Sequence, residues 1–183
     1  MRATATGLPI TLDVEHKIVV LVGTGEEAER KRELLAEGGA QIRAIDGPAF
    51  APSVLDGAML VMVAVRDEAL AARVHEAARA RGVLCWACDN SPQSDFAMPA
   101  IARLGGARLA VSTSGASPAL SGRLRAALEK GLGAEFARFV EVLGALRERA
   151  RQEPDEAKRR ATLQAALDGF ELDVSARYPA WFK

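Results

Sequence analysis

The chain has 183 residues, of which 49% are hydrophobic and 26% charged, so we expect a packed core rather than extensive disorder. The 24 lysines and arginines balance the 24 aspartates and glutamates, which argues against a general binder of nucleic acids or membrane surfaces. No apolar run reaches the length of about 18 residues that predicts a membrane span. The N-terminus lacks the apolar core of a signal peptide, and two cysteines do not form a disulfide scaffold, so we expect a cytoplasmic protein.

The first two thirds of the sequence alternate predicted strands and helices. Short runs rich in β-branched residues predict strands, and longer segments with apolar residues at helical spacing predict helices. This order predicts an α/β protein with a Rossmann-like parallel sheet, followed by a C-terminal helical region from 134 to about 170. The predicted strands lie at 17–25, 40–46, 58–65, 83–89 and 107–113, and the predicted helices at 26–39, 67–82, 95–106, 117–133, 134–152 and 155–170.

A glycine-rich turn joins the first predicted strand to the first predicted helix. Gly23, Gly25 and Ala28 form G-x-G-x-x-A, which allows a tight turn, close backbone approach to a pyrophosphate and close helix packing. Asp46 ends the second strand about 20 residues later, where a carboxylate accepts hydrogen bonds from both ribose hydroxyls of NAD and repels the 2′-phosphate of NADP. Together these features predict NAD as the cofactor. The alternative is an ordinary turn with a surface aspartate.

The only two cysteines, Cys85 and Cys88, form a C-x-x-C inside the predicted strand 83–89. Strand side chains alternate, so residues three apart point to opposite faces and cannot share a metal ion or a disulfide. A zinc site would need two further ligands, and the chain has only His16 and His75 as histidines. We interpret both cysteines as buried, inert apolar residues, and we predict no metal site.

Asp89 follows at the carboxyl end of the same strand, at the edge where open α/β sheets bind ligands. A carboxylate beside a nicotinamide is a candidate proton acceptor. Judged from its position alone, an aspartate that caps a helix or a turn is the favoured alternative.

Several motifs stand in a characteristic order. The phosphate loop continues as Ala28-x-Arg30-Lys31, and DF-x-x-PA at 95–100 and AVSTSGASP at 110–118 follow. Over roughly residues 7–130 the chain resembles the precorrin-2 dehydrogenase and sirohydrochlorin ferrochelatase family, the N-terminal part of sirohaem synthases. The resemblance implies NAD-dependent removal of two hydrogens from precorrin-2. In many members the same site then inserts ferrous iron into sirohydrochlorin.

The resemblance also implies roles for individual residues. Asp89 corresponds to the shared catalytic aspartate, which would take a proton while NAD⁺ takes the hydride. The implied substrate is a tetrapyrrole with several carboxylates. A site that binds it would need donors such as hydroxyls, a helix N-terminus and arginines. For the arginines, a solvated helix face is an equal alternative. The implied cofactor-binding residues are Gly23, Thr24, Gly25, Glu26, Glu27, Asp46, Ala64 and Val65, and the implied substrate-binding residues are Ser112, Thr113, Ser114, Ser117, Arg123 and Arg125.

Members of the family are intertwined homodimers. The resemblance therefore implies a NAD-binding domain over 1–106, a dimerisation segment over 107–147 and a short helical region over 148–183. The predicted helix 134–152 carries a broad apolar face, which we expect a second copy to cover. Its apolar residues are Phe136, Phe139, Val140, Val142, Leu143 and Leu146.

Some positions depart from the family pattern. These departures motivate an alternative function, a catalytically silent dimer that binds NAD or a tetrapyrrole. Where the family reads A-T-D-D, this chain has Ala64, Val65, Arg66 and Asp67, while Trp86 replaces an Asn, Ser114 a Gly and Gly122 an Arg.

Overall fold

The structure is a computed structural model that describes residues 7–89 and 91–182. The chain forms two compact units, one up to Met98 and the other from Pro99 onward. No helix among the described residues is both long and apolar enough to cross a membrane.

The first unit is a four-stranded parallel sheet with helices packed on both faces. The strand order is β2-β1-β3-β4, so the two middle strands are flanked by two edge strands. This arrangement confirms the predicted α/β fold with a Rossmann-like parallel sheet. Its elements are β1 (Ile18–Val22), α1 (Glu26–Glu37), β2 (Gln41–Ile45), β3 (Leu60–Val63), α2 (Glu68–Arg79) and β4 (Leu84–Ala87).

The middle strands are buried because both of their faces are covered. In β1, Val20 and Val22 pack on the α2 side, whereas Val19 and Leu21 pack on the α1 side, and all four side chains are inaccessible to solvent. A strand covered on both faces is apolar at every position rather than at alternate ones. The continuous apolar runs in the sequence are explained by this layered packing.

The chain reverses direction across the sheet between β1 and β3. It passes from β1 to β2 on one side and then crosses to β3 and β4 on the other. The loops that leave the two middle strands therefore diverge at the carboxyl edge, which creates the crevice where open α/β sheets bind ligands. The pairing extends past the strand ends, because Gly23 N–H donates to the Ile45 carbonyl at 2.8 Å and Ala64 N–H to the Val22 carbonyl at 2.9 Å.

The second unit begins with a β-hairpin, and the predicted helix over 95–106 is wrong. The structure has β5 (Ala100–Leu104), paired antiparallel with β6 (Ala107–Val111) through a Gly105-Gly106 turn. Ala102 and Leu104 are buried while the residue between them is exposed, which is the period of two expected for a strand. Alanine-rich segments carry little strand preference of their own, so pairing with β6 decides the structure here.

Two helices complete the second unit. The first, α3 (Pro118–Ala150), contains Gly133 in a non-helical conformation, so it divides near the boundary predicted from the sequence. The second, α4 (Glu156–Ala165), is capped by Asp155, whose side chain accepts hydrogen bonds from two backbone amides of the first turn. The Phe170 ring stacks on Phe139 with ring centroids 5.3 Å apart. The apolar face of the latter half of α3 is thus partly covered within the chain.

Candidate cofactor and catalytic site

The glycine-rich loop leaves β1 at the switch point of the sheet. Gly23 has φ 116°, and a Cβ at this position would lie 2.5 Å from Cγ1 of Val65. Gly23, the first residue after β1, therefore lies against Val65 at the start of the loop after β3, and only glycine fits there before the two loops diverge. Gly25 has φ 93°, but a Cβ there would meet nothing within 4 Å. The space above Gly25 is open, as backbone approach by a ligand requires.

The N-terminus of α1 has unpaired amide donors. Gly25 caps the helix without any side-chain hydrogen bond, and within 7–89 and 91–182 no backbone carbonyl accepts the amide of Thr24 or Gly25. The first amides of a helix have no partner inside the helix and carry its positive dipole end. Ala28 is 3% exposed, which seats the helix against the sheet. The site thus offers amide donors, open space above Gly25 and a helix N-terminus held close to the sheet. These features fit the pyrophosphate of a dinucleotide.

Two acidic side chains at this N-terminus are neutralised by basic neighbours. Glu27 lies 3.1 Å from Lys31 Nζ and 2.6 Å from Arg30 Nη2, and Glu26 lies 3.4 Å from Arg30. Burial alone would raise the pKa of Glu27, but hydrogen bonds and charge attraction from Lys31 and Arg30 outweigh it, so the pKa lies below its usual value. The motif Arg30-Lys31 thus offsets negative charge where an anion would bind.

Asp46 lies directly after β2 at the same edge of the sheet. It has extended backbone geometry and precedes a short 3-10 helix, Gly47–Ala49, and its carboxylate makes no capping hydrogen bond there. The side chain is exposed. This is the position from which a strand-end carboxylate reaches a ribose in Rossmann folds.

Asp89 lies two residues beyond β4 and contacts Arg66. The Arg66 Nε donates to Asp89 Oδ2 at 2.8 Å, and Nη2 lies 2.8 Å from the same oxygen. Val63 and Ala87 are paired in register, so the residues that follow these two strands emerge side by side. Asp89 has φ 52°, a conformation that is uncommon for residues other than glycine and concentrated at functional sites.

The segment that carries Asp89 is fastened back onto β4. The carboxylate of Asp95 accepts the Cys85 amide at 2.8 Å and lies 3.2 Å from His75 Nε2. The Asp95 amide donates to the Cys85 carbonyl at 2.8 Å, and Ser94 Oγ accepts the Ala87 amide at 2.9 Å. These bonds satisfy the outer edge of β4, which no further strand covers among residues 7–89 and 91–98. Sequence reasoning missed this role of Asp95, although the DF-x-x-PA motif contains it.

The cysteines behave largely as predicted. Cys85 is fully buried in β4, and burial together with the negative charge of Asp95 raises its pKa to about 12. Burial, and then Asp89 and Glu27, also raise the pKa of Cys88. Both are free thiols. Their placement in one strand is wrong for Cys88, because β4 ends at Ala87 and Cys88 is only half-buried.

The residues predicted to bind substrate belong to the second unit, where several stabilise the start of α3. The Thr113 hydroxyl donates to the Ser117 carbonyl at 3.0 Å and accepts the Ser117 amide at 3.1 Å, and Ser117 Oγ accepts the Leu120 amide. Arg125 pairs with Glu129 at 2.7 Å. The remaining predicted residues, Ser112, Ser114 and Arg123, are exposed.

The fold and this edge of the first unit define a dinucleotide-binding protein of the Rossmann class. Residues 10–100 match the family model described as "Putative NAD(P)-binding". The solved structure of "SirC, precorrin-2 dehydrogenase" superposes with a TM-score of 0.72 over 89% of this chain and 90% of that chain, at 19% sequence identity. That likeness supports the fold, and the family model confirms the predicted class of cofactor.

Curated relatives identify the family more narrowly. "Siroheme synthase 1" of Serratia proteamaculans is 36% identical over 79% of this chain and 34% of its own length. "Siroheme synthase" of Sodalis glossinidius is 35% identical over 88% of this chain and 39% of its own length. The chain belongs to the precorrin-2 dehydrogenase family that forms part of sirohaem synthases. It spans little more than a third of the length of these relatives.

Proposed function

We propose that the chain catalyses NAD-dependent dehydrogenation of precorrin-2 to sirohydrochlorin. The observation that carries the proposal is the meeting of three features at one sheet edge: the open helix N-terminus at Gly25, the Asp46 carboxylate and Asp89. A Rossmann fold brings such groups together for a dinucleotide and for the substrate that lies beside it.

Different residues would bind the cofactor and accept the proton. The amides of Thr24 and Gly25, with the N-terminus of α1, would hold the pyrophosphate, and Asp46 would hold the adenosine ribose. Bound NAD⁺ supplies the hydride acceptor. Removing two hydrogens means that a hydride and a proton leave and a double bond forms, so a base must accept the proton. Asp89 is that base. Ala64 and Val65 would line the crevice beside the nicotinamide.

The substrate side of the proposal rests on the second unit. Precorrin-2 is a polycarboxylate, and Arg123 and Ser114 are exposed groups that can donate hydrogen bonds to carboxylates. Ser112, Thr113 and Ser117 contribute less directly, because their hydroxyls already accept hydrogen bonds from backbone amides. Arg125 would have to exchange its contact with Glu129 for a substrate carboxylate.

The proposal is tested by mixing the purified protein with NAD⁺ and precorrin-2 and following absorbance. We expect precorrin-2 to disappear at a rate that depends on NAD⁺. Binding of NAD⁺ without turnover would instead favour a silent binding protein, which the departures at Val65, Arg66 and Trp86 motivate. Insertion of ferrous iron stays a prediction of the resemblance, and the same assay with Fe²⁺ and sirohydrochlorin tests it.

We expect the chain to prefer NAD⁺ over NADP⁺, because Asp46 would repel a 2′-phosphate. The change Asp46→Ala should weaken NAD⁺ binding by about tenfold, or about 1.4 kcal/mol, while removing the barrier to NADP⁺. Calorimetric titration of both cofactors into both proteins measures this. Tighter binding of NADP⁺ than NAD⁺ by the unaltered protein would refute the assignment of Asp46.

We also propose that the chain forms a homodimer through its second unit. Leu120, Leu124 and Val142 on α3 are between 42% and 55% exposed, and the first two lie one helical turn apart on the same face. Light scattering at low micromolar concentration should give twice the mass of one chain. Replacing Leu120 and Leu124 by Asp should halve that mass, and a protein that is monomeric before the change would refute the proposal.

A further inference from the structure

We propose that Arg66 is a positioning residue for Asp89, fixing the orientation of the carboxylate and offsetting its charge. The inference rests on the proposed function, since it gives Arg66 a part in the same reaction. It begins from the side-on contact at Asp89 Oδ2, where Nε and Nη2 both lie 2.8 Å from one oxygen. Two charge-assisted donors that converge on one oxygen hold that oxygen, and with it the rotation of the carboxylate about its Cβ–Cγ bond, more firmly than a single contact does.

The place of Arg66 in the chain is not explained by stability. It lies just before Asp67, whose side chain caps α2 by accepting the Leu70 amide at 2.9 Å. A positive side chain at a helix N-terminus is unfavourable, because the helix dipole is positive there. The ion pair is also exposed, with 82% of the Arg66 side chain and 65% of the Asp89 side chain accessible, and exposed pairs contribute little to folding.

The positive charge of Arg66 offsets negative charge at the carboxyl edge of the sheet. Asp46 and Asp89 both follow strands at the carboxyl side of the sheet, where a dinucleotide and a polycarboxylate must approach. Like charges would oppose that approach, and a carboxylate free to rotate would present its proton-accepting oxygen only part of the time. Arg66 counters both effects while leaving Asp89 open to solvent.

The first test is a double-mutant cycle on dehydrogenase turnover. In the otherwise unaltered protein, Arg66→Ala should lower kcat about 10-fold to 100-fold, with Arg66→Lys recovering part of the loss. In an Asp89→Asn background the same change should cost nothing further, because Arg66 acts through Asp89. The matched control is Arg81→Ala, since Arg81 Nε makes a similar 3.0 Å contact with Asp56 away from this edge. Activity should be unchanged in that variant.

A second readout does not depend on activity. Cys88 adjoins the pair, and its pKa lies above the usual value. Burial and the negative charge of Asp89 raise it, and the positive charge of Arg66 partly offsets them. Arg66→Ala should therefore slow alkylation of Cys88 at pH 8.5 by about threefold, and Asp89→Asn should speed it. Cys85 does not compete, being buried. The variant Cys88→Ser confirms the assignment by losing the label.

The outcomes separate the two proposals. Equal losses from Arg66→Ala in both Asp89 backgrounds, or a loss confined to KM, would overturn the positioning role in favour of direct substrate binding. Unchanged alkylation of Cys88 in Arg66→Ala would also overturn it. If the unaltered protein turns over no precorrin-2, the proposed function fails and the positioning role fails with it, whereas the labelling result still tells whether the charges of Arg66 and Asp89 both act at Cys88.

Discussion

Replacing Asp89 by Asn is expected to lower kcat by a factor of about 10² to 10⁴, the contribution typical of a positioned general base. Asparagine keeps the shape of the side chain and retains an oxygen that can accept a hydrogen bond from Arg66, but it cannot take up a proton at neutral pH. The affinity for NAD⁺ should be unchanged, because the phosphate loop follows β1 and Asp46 follows β2, whereas Asp89 follows β4. Single-turnover absorbance with precorrin-2 and a separate NAD⁺ titration measure the two effects.

The chain offers a matched control in Asp56. This aspartate is also exposed and also pairs with an arginine, since its Oδ1 lies 3.0 Å from Arg81 Nε. It precedes β3, and so lies away from the carboxyl edge. Asp56→Asn should therefore leave turnover intact. Full activity in Asp89→Asn would remove the base from the mechanism, and loss of NAD⁺ binding in that variant would show that Asp89 serves the cofactor instead.

The backbone of this site could be predicted from the sequence because it follows from local rules. Gly23 and Gly25 mark the turn after a buried strand, and parallel strands end at one edge. Asp46 and Asp89 each follow such a strand. Their location at the same edge of the sheet could therefore be predicted without knowing where their side chains lie. Cys85 was predictable for a similar reason, since alternate side chains of a strand share a face and Cys85 lies on the face of β4 that packs into the core.

The side-chain contacts of the site could not be predicted in this way. The contact between Arg66 and Asp89 depends on the register of β3 against β4 and on the left-handed backbone at Asp89. The contact of Lys31 could not be predicted either. Its Nζ lies 4.4 Å from the centre of the Trp86 ring. A lysine of the helix that follows the phosphate loop thus contacts an aromatic side chain on β4. Such a cation–π contact joins residues distant in sequence, and no local pattern encodes it.

Secondary structure was mispredicted where local preference is weak. The segment 95–106 is rich in alanine and contains no β-branched residue except Ile101, so its composition favoured a helix. The Gly105-Gly106 turn and the partner strand β6 override that preference. Cys88 was placed inside a strand because the apolar run continues to it, whereas the positive φ of Asp89 ends the extended backbone there.

Replacing Gly25 by Ala is expected to abolish NAD⁺ binding at ordinary concentrations. A Cβ at this position meets no protein atom within 4 Å, so the protein itself has room for the methyl group. That room is where the pyrophosphate would approach the amides of the α1 N-terminus. A methyl group there should separate phosphate from amide and raise the Kd for NAD⁺ by about 100-fold or more, which corresponds to about 2.7 kcal/mol.

The backbone of Gly25 adds a second cost, which a control must remove. With φ 93° and ψ −172°, the residue lies in a region that is essentially restricted to glycine, and an alanine there should lose about 1–3 kcal/mol of stability. Gly82 is the matched position, since it has φ 67° and open space around its Cβ, but lies in the turn before β4 at the opposite edge. Gly82→Ala should therefore lose stability in urea unfolding and still bind NAD⁺ as tightly as the unaltered protein. If both variants lose NAD⁺ affinity equally, general destabilisation explains the loss. If Gly25→Ala binds NAD⁺ normally, the loop after β1 does not hold the pyrophosphate.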